Sequence, residues 1–575
     1  MFPKPASGKK GRFAEPTPSA GPFMAPPKNQ RRIVTMSCRS ARRIGARVVA
    51  VCLLAATVHA APIYVSTTGN DTTGDGAAWG TAYASLTKAI SVATAGAEIW
   101  VAKGQYNEAA TLTVTVDGLS FYGSLNGDEA FPYDMSGRNL DANATTLTVT
   151  AANSRVININ PSAATGQHRW DGFAIRDANV TNLSGAGMQI NNGNVIVANC
   201  LFFNNRISVV PPNSYQSGAG LDLYNNADAV TVSDCRFCSN TITNYLAANH
   251  DSTGAGIRVR NGAAAVPAVI QRCRFERNYC DARDRTTDLA RVLGSALSIG
   301  APDVRVLDCD FVANEARSPK AGLIGGAVYC SRYSTGFTNF YIDRCRFLGN
   351  VVAGNGGVGA AIHLNQPRST IYLNNCYFYG NKSVSSDGVT PRGGHVLGIP
   401  VGWNTTSGFI AKHCTFDRNT AGAGGTKYIA WLGGPNSPDT YDNKFYNCIF
   451  SGFTNESAAF RIENNGSATV DYALWDESNS ARYFSFNNTA SAVNTNPVVD
   501  TGFALTPGSP DVARGAASQP AIDKAPSAGL SPDVDLYGAS RPVDNVLITN
   551  GGGAYDIGCH ESQEVPVSLS RFAIE

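Results

Sequence analysis

The sequence predicts an all-β chain: a single-stranded, right-handed parallel β-helix with an N-terminal cap and an irregular C-terminal region. Three observations predict it. The motif Cys-x-Phe-x-x-Asn recurs seven times, beginning at Cys200, Cys235, Cys273, Cys309, Cys345, Cys376 and Cys414, and Cys448-Ile-Phe450 keeps its first half. Successive Cys lie 35, 38, 36, 36, 31, 38 and 34 residues apart. A fixed motif at variable spacing means constant strands joined by variable loops, the signature of a solenoid. A small-residue motif precedes each of the seven by 15 to 21 residues, as in Gly218-Ala-Gly-Leu221, Gly254-Ala-Gly-Ile257 and Gly325-Gly-Ala-Val328. Each opens a short alternating run such as Leu221-Asp-Leu223, and period-2 alternation over a few residues reads as strand.

Taken from the start, residues 1–35 are rich in Pro, Lys and Gly and read as an extension outside the fold, with Met36 a second candidate start. Residues 36–60 then combine Arg39, Arg42, Arg43 and Arg47 with an apolar run from Val48 to Val58 and the small-residue pattern Val58-His-Ala60. That is the layout of a signal peptide, cut after Ala60 or Ala61, and its apolar run is too short to span a bilayer. A secreted or cell-surface location follows. Residues 61–184 are expected to form the cap and first coils, 185–455 the regular repeats, 456–561 the last coils and C-terminal region, and 562–575 a linker-like tail.

Parallel strands of successive coils stack at roughly 4.7–4.9 Å, so equivalent residues form columns. Cys and Phe share parity and are expected to point inward. The Asn column falls just past the strand, where Asn tolerates a left-handed turn and its amide can bond to the next coil. The residue before each Cys points outward, and Asp234, Arg272, Asp308 and Arg344 alternate in sign as a surface ion-pair ladder. Eight Cys in one column with parallel side chains lack the crossed geometry of a disulfide, so buried free thiols are expected, with Cys238 and Cys280 left to bridge loops. Cys235-x-x-Cys238 has no second pair at zinc-ligand spacing.

Several stretches carry a resemblance. Gly-Gly-Ala-Val and Phe-x-x-Asn resemble the paired repeats of the bacterial polymorphic outer-membrane proteins, within the pectin-lyase-like β-helix superfamily. IYVSTTGNDTTGDGAAWGTAYASLTKAI with IWVAKGQYNE is similar to the opening segment and cap of many secreted bacterial β-helices, and FYGSLNGDE with RNLDANATTL to their first coils. TNPVVD, LTPGSPDV, DVDLYGASRP and AYDIGCHE (495–561) resemble the C-terminal region of choice-of-anchor extracellular proteins. VPVSLSRFAIE looks like the start of an anchor linker, so release or anchoring by a partner is expected as readily as covalent attachment. The resemblance implies fold and location; the superfamily hosts many chemistries.

Of 46 basic and 44 acidic side chains, the first 60 residues carry 11 and one, so the remainder holds 35 against 43, a net charge of −8. That balance argues against nucleic acid and anionic membrane as partners, and no later segment is apolar enough to be transmembrane. The outward position after the glycine motif offers Gln189, Asp222, Arg258, Ser298, Tyr329 and His363, and two residues on come Asn191, Tyr224 and Arg260. Carboxylate, guanidinium, aromatic and imidazole groups on one flat stripe suit a sugar: aromatic faces stack on pyranose rings and Arg grips carboxylates bidentately. The alternative is that an exposed sheet simply carries polar residues.

The leading expectation is therefore a lateral face that binds extracellular polysaccharide or another surface partner, with Tyr224, Tyr329 and His363 as binding residues. The second is a polysaccharide lyase on acidic glycans with Asp222, Arg258 and Arg260 as catalytic candidates, Arg258 or Arg260 taking the proton. The third is a purely structural adhesin or passenger. Inverting hydrolysis would need paired carboxylates about 6.5–9.5 Å apart, and the Asn-Thr-Asp, Asp-Asp, Gly-His-Gly and Arg-Ile-Lys stretches of the polygalacturonases do not occur here. Gly104-Gln-Tyr-Asn-Glu108 matches the opening motif of the pectin methylesterases, whose Gln-Asp and Asp-Phe motifs are missing, so it reads as structural. No cofactor or metal is expected; Asp71/Asp75 and Asp533/Asp535 have the oxygen chemistry for Ca²⁺ but lie at the two ends, away from the stripe.

Overall fold

A computed structural model of the chain describes residues 61–499 and Leu536, apart from short segments between strands, chiefly 211–215, 225–228, 246–250, 261–267, 283–290, 319–323, 332–337, 385–395, 400–406, 422–427 and 434–440. The extension, the signal peptide and nearly all of the C-terminal region and tail lie outside the described residues. No helix among the described residues is long and apolar enough to cross a membrane.

The chain winds as a parallel β-helix. One coil shows the plan: Met188–Ile190, Asn194–Ala198, Leu201–Phe203, Arg206–Val209 and Gln216–Ser217 each join a different sheet. In the order a coil visits them, these five sheets have 12, 14, 13, 8 and 5 strands among the described residues. Every pairing is parallel and runs from one coil to the next, so Phe202 sits on Phe237, Phe237 on Phe275 and Phe275 on Phe311. Inward side chains fill one continuous apolar core, as the alternation requires.

Columns are the unit of packing. The Phe rings from Phe202 to Phe450 stack with centroids 4.7–5.1 Å apart and planes within 12°. The seven Asn from Asn205 to Asn419 form a buried ladder in which the Nδ2 of each of the first six donates to the next coil's Oδ1 at 2.9–3.1 Å. The left-handed turn expected at these Asn lies one residue earlier, at Asn204, Ser239, Arg277, Ala313 and Arg418, with φ from +46° to +56°. The corner residue takes the strained conformation, which leaves the Asn side chain free to turn inward and satisfy its neighbours. The residue before each column Cys is left-handed too, Asn199 through Asn447 at φ +50° to +56°. Turned out at that corner, Arg272 clamps Asp234 through two bonds of 2.7 Å, and Arg344 clamps Asp308 at 2.6 and 2.8 Å.

All eight column thiols are free and buried, each Sγ donating at 3.1–3.4 Å to the carbonyl two residues back. Burial pushes the thiols of Cys309, Cys376 and Cys414 well above their usual range, which keeps them unreactive. The expectation that Cys238 and Cys280 bridge loops is corrected: both are free, Cys280 because it points into the core between strands of the fourth sheet.

The cap explains the methylesterase-like motif. Helix α1 (Leu86–Val92) covers the end of the solenoid with Leu86 and Ala89 buried. Glu108, also buried, accepts from the Leu86 amide at 2.9 Å and the Thr87 hydroxyl at 2.6 Å, while Tyr106 donates to the Ala102 carbonyl at 2.9 Å. The Tyr and Glu of the motif thus fasten the cap to the first coil.

His168 is wholly buried beside Asp117, with Nε2 3.6 Å from its carboxylate. Burial lowers the imidazole pKa, and Asp117 only partly opposes it. A His held neutral in the fold binds its proton more readily when unfolded. Its stabilising contribution is present above about pH 6.5 and is lost as pH falls through that value towards the lower folded pKa. Protection of the first-coil amides, taken relative to their intrinsic exchange rate at each pH, is expected to fall below about pH 6.5 in the native chain and less so in His168→Asn; equal pH profiles would dismiss this source of acid sensitivity.

Candidate functional site

The glycine-motif strands build the outer column of the first sheet. With Leu221 and Leu223 inward, Asp222 points out, aligned between Gln189 and Arg258; Ser298, Tyr329 and His363 continue the column. This much follows from alternation, but the column is not the open stripe the sequence suggests. Asp222 and His363 are 0% exposed, Ser298 2% and Tyr329 4%. The cause is the fifth sheet, whose short strands, such as Gln216–Ser217, Asp251–Thr253 and Arg291–Leu293, come just before the glycines. The chain then doubles back so tightly that a Cβ on Gly254, at φ +63°, would lie 2.2 Å from the Ile257 carbonyl. That reversal lays the fifth sheet against the outward side chains. Ser217 donates to Asp222 at 3.0 Å, Arg258 bonds to Thr253, and Gly325 lies against the Tyr329 ring and the His363 β-carbon.

Within this layer Asp222 accepts from Gln189 at 3.2 Å and pairs with Arg260, whose Nε is 3.6 Å away. The sequence favours Arg258, one coil up in register, as its partner; Arg258 turns to Thr253 instead and Arg260 reaches back to the carboxylate. Arg260 also bonds to Ser217, lies 3.3 Å from the Ser184 hydroxyl, and covers the Tyr224 ring with its guanidinium carbon 5.1 Å from the centroid. Tyr329 is tied to Asn365 at 3.0 Å and leans on His363 with centroids 5.3 Å apart. Of the six candidates, Tyr224 (40% exposed) is the most open, Arg258 and Arg260 are half-buried, and Asp222, Tyr329 and His363 are closed.

Sequence reasoning missed a second column. On the outer face of the second sheet, Arg305, Tyr341, Tyr372, Ile410 and Lys444 align in register over five coils. Tyr341 and Tyr372 stack with centroids 5.2 Å apart and planes at 12°, and the Arg305 guanidinium carbon sits 5.3 Å from the Tyr341 centroid. Beside them run Asp343, Asn374, Lys412 and Tyr446. Asn374 donates to Asp343 at 2.6 Å. Burial raises the Asp343 carboxyl pKa, against the pull of Asn374, Arg344 and Arg305. Arg305 is exposed, and Tyr341, Tyr372, Ile410 and Lys444 are half-buried, as expected where each side chain has column neighbours. The signal was present: each of these residues stands four places before a column Cys.

The N-terminal carboxylates are occupied by the chain itself. Asp71 accepts from the Ala84 and Ser85 amides and the Ser85 hydroxyl, Asp75 from the Ala77 amide and the Thr81 hydroxyl. Asp533 and Asp535 lie outside the described residues. Among the described residues no three His, Cys, Asp or Glu side chains are grouped to hold a metal.

Residues 67–280 match a family described as "Protein of unknown function (DUF1565)". No curated protein matches. Among solved structures, the crystal structure of pectate lyase Pel9A aligns with 87% of this chain and 96% of its own, at 11% identity and a TM-score of 0.33.

Proposed function

We propose that this chain is a secreted or cell-surface β-helix whose second-sheet face binds extracellular polysaccharide. The observation that carries the reading is the stacked Tyr341–Tyr372 pair under Arg305 on an outward face. The column presents the phenol hydroxyls of the stacked rings together with flanking amide and cationic groups, Asn374, Lys412 and Lys444, which can bond a sugar's hydroxyls or acidic substituents. A column that repeats once per coil suits a repeating polymer, because each further ring engaged is bound from an already tethered chain. The location rests on the basic, apolar and small-residue regions of residues 36–60.

The lyase alternative gains nothing from the arrangement around Asp222. That carboxylate is closed to a substrate, and Arg260 is engaged with Asp222 and Ser217. Titration of residues 61–575 with soluble polysaccharides should find at least one that binds. Tyr341→Ala with Tyr372→Ala should weaken it about tenfold or more, since two ring contacts supply roughly 1–3 kcal/mol. A double variant with native affinity would dismiss this face, and failure to bind any glycan would favour the structural adhesin.

A further inference from the structure

Four consecutive coils send polar groups to one place beside the buried Asp222. Arg155, just ahead of the strand Ile157–Ile159, donates from Nε to the Ser184 carbonyl at 2.5 Å. Arg260 bonds to the hydroxyls of Ser184 and Ser217. Ser184 is thus bonded by both guanidinium groups, through its carbonyl by Arg155 and through its hydroxyl by Arg260. Asp222 is the carboxylate that acts on both: it pairs with Arg260, and its charge supports that of Arg155. Two half-buried cations share one buried anion, a net charge of +1 over the three side chains. One donor is also underused: the buried Nε of Arg260 faces Asp222 at 3.6 Å and makes no hydrogen bond among the described residues. The Tyr224 ring, 40% exposed and covered on one side by Arg260, forms an apolar wall.

We infer that Arg155, Arg260 and Tyr224 form an oxyanion subsite that takes the carboxylate or sulfate ester of an acidic sugar residue. A planar two-oxygen acceptor matches the guanidinium fork, and the sugar ring carrying it would rest on Tyr224. A second anion also answers the cost of desolvating two cations against one carboxylate; burial already lowers the Arg155 pKa. This subsite is separate from the Tyr341–Tyr372 face and does not depend on it.

The test uses residues 61–575 and three probes by calorimetry: a polyuronate, a sulfated dextran and neutral dextran, at low and high salt. Binding of either acidic polymer, weakened by salt and about tenfold weaker in Arg155→Met, is the expected result. Which acidic polymer binds separates carboxylate from sulfate. Arg155 is the residue to replace because the Asp222–Arg260 pair survives its loss. Tyr224→Ala, at an exposed position, should weaken the same ligand even if Arg155→Met proves unstable. Tyr341→Ala with Tyr372→Ala should leave a contribution that Arg155→Met removes. Equal affinity of native and Arg155→Met protein, or loss of acidic-polymer binding that follows the tyrosine pair alone, would overturn the inference.

Discussion

Asp171→Ala should destabilise the first coils by about 3–5 kcal/mol, the usual cost of removing one partner from a buried charge cluster. Asp171 has 2% of its side chain exposed and lies between two cations. Arg138 bonds to Oδ1 at 2.5 Å, Arg169 holds Oδ2 with Nε at 3.0 Å and Nη2 at 2.6 Å, and Asn199 donates to Oδ1 at 2.9 Å. Arg138 also donates to the carbonyls of Gly123, Met135 and Asp171, which pins the excursion 126–144 to the second sheet. Without the carboxylate, Arg138 would remain a buried cation with no counter-charge, and the excursion would lose its fastening. Burial pushes the Asp171 pKa up, but Arg138 and the hydrogen bonds outweigh it and the net shift is downward. A carboxylate depressed in the fold stabilises above its unfolded pKa, about 3.9, and that contribution is lost as pH falls through the lower folded value. Solenoid coils open locally, so the measurement is hydrogen exchange by peptide, with faster exchange expected in 126–144 and in the strands Gln167–Asp171 and Asn194–Ala198. A loss below about 1 kcal/mol would mean that Arg169, Asn199 and the carbonyls hold the excursion without the carboxylate.

The same cluster shows where sequence reading works and where it stops. Alternation placed Leu221, Phe202 and Cys200 inside because side-chain parity is a property of one strand, legible from that strand alone. The ion pairs of Arg272 with Asp234 and Arg344 with Asp308 follow from repeat spacing for the same reason. Asp171 pairing with Arg138 does not: 33 residues separate them, and Arg138 belongs to an irregular excursion rather than to a repeat. The buried stripe failed differently. Asp222 does point away from the core of its own sheet, as its parity says. What covers it is a fifth sheet of two- and three-residue strands, too short to show any period. Tyr341 and Tyr372 carry no signal along the chain; their meaning lies across it, in a column counted back from Cys345 and Cys376.

The Asn ladder gives the other large expected effect, in Asn314→Asp. Asn314 is fully buried, and its side chain makes four bonds across three coils. Its Oδ1 accepts from the Asn278 amide and Nδ2, both at 3.0 Å; its Nδ2 donates to the Phe275 carbonyl at 2.9 Å and to Asn350 Oδ1 at 3.0 Å. An aspartate keeps the acceptors and loses both donors. Ionised, it would place a charge in the core with no cation and turn an oxygen towards two acceptors. Protonated, it could satisfy one of the two. The cost at neutral pH is on the order of 4 kcal/mol or more, two stranded acceptors plus a buried charge. The sign of the pH dependence is opposite to that of Asp171. Burial raises the pKa of the new carboxyl in the fold, so the variant is least destabilised below about pH 3.9 and loses stability as pH rises through that value. Exchange of the Asn278 amide, which bonds to Asn314 Oδ1, should report it, together with the strands Tyr279–Ala282 and Val351–Ala353 beside the ladder. The expected pattern, with each rate taken relative to the intrinsic amide rate at that pH, is weak protection at pH 7 and partial recovery near pH 4. Asn314→Ala removes the bonds without adding a charge and should give a loss that does not vary with pH. If Asn314→Asp instead kept native protection at pH 7, the ladder would be a consequence of the stacked coils rather than one of the interactions that holds them in register.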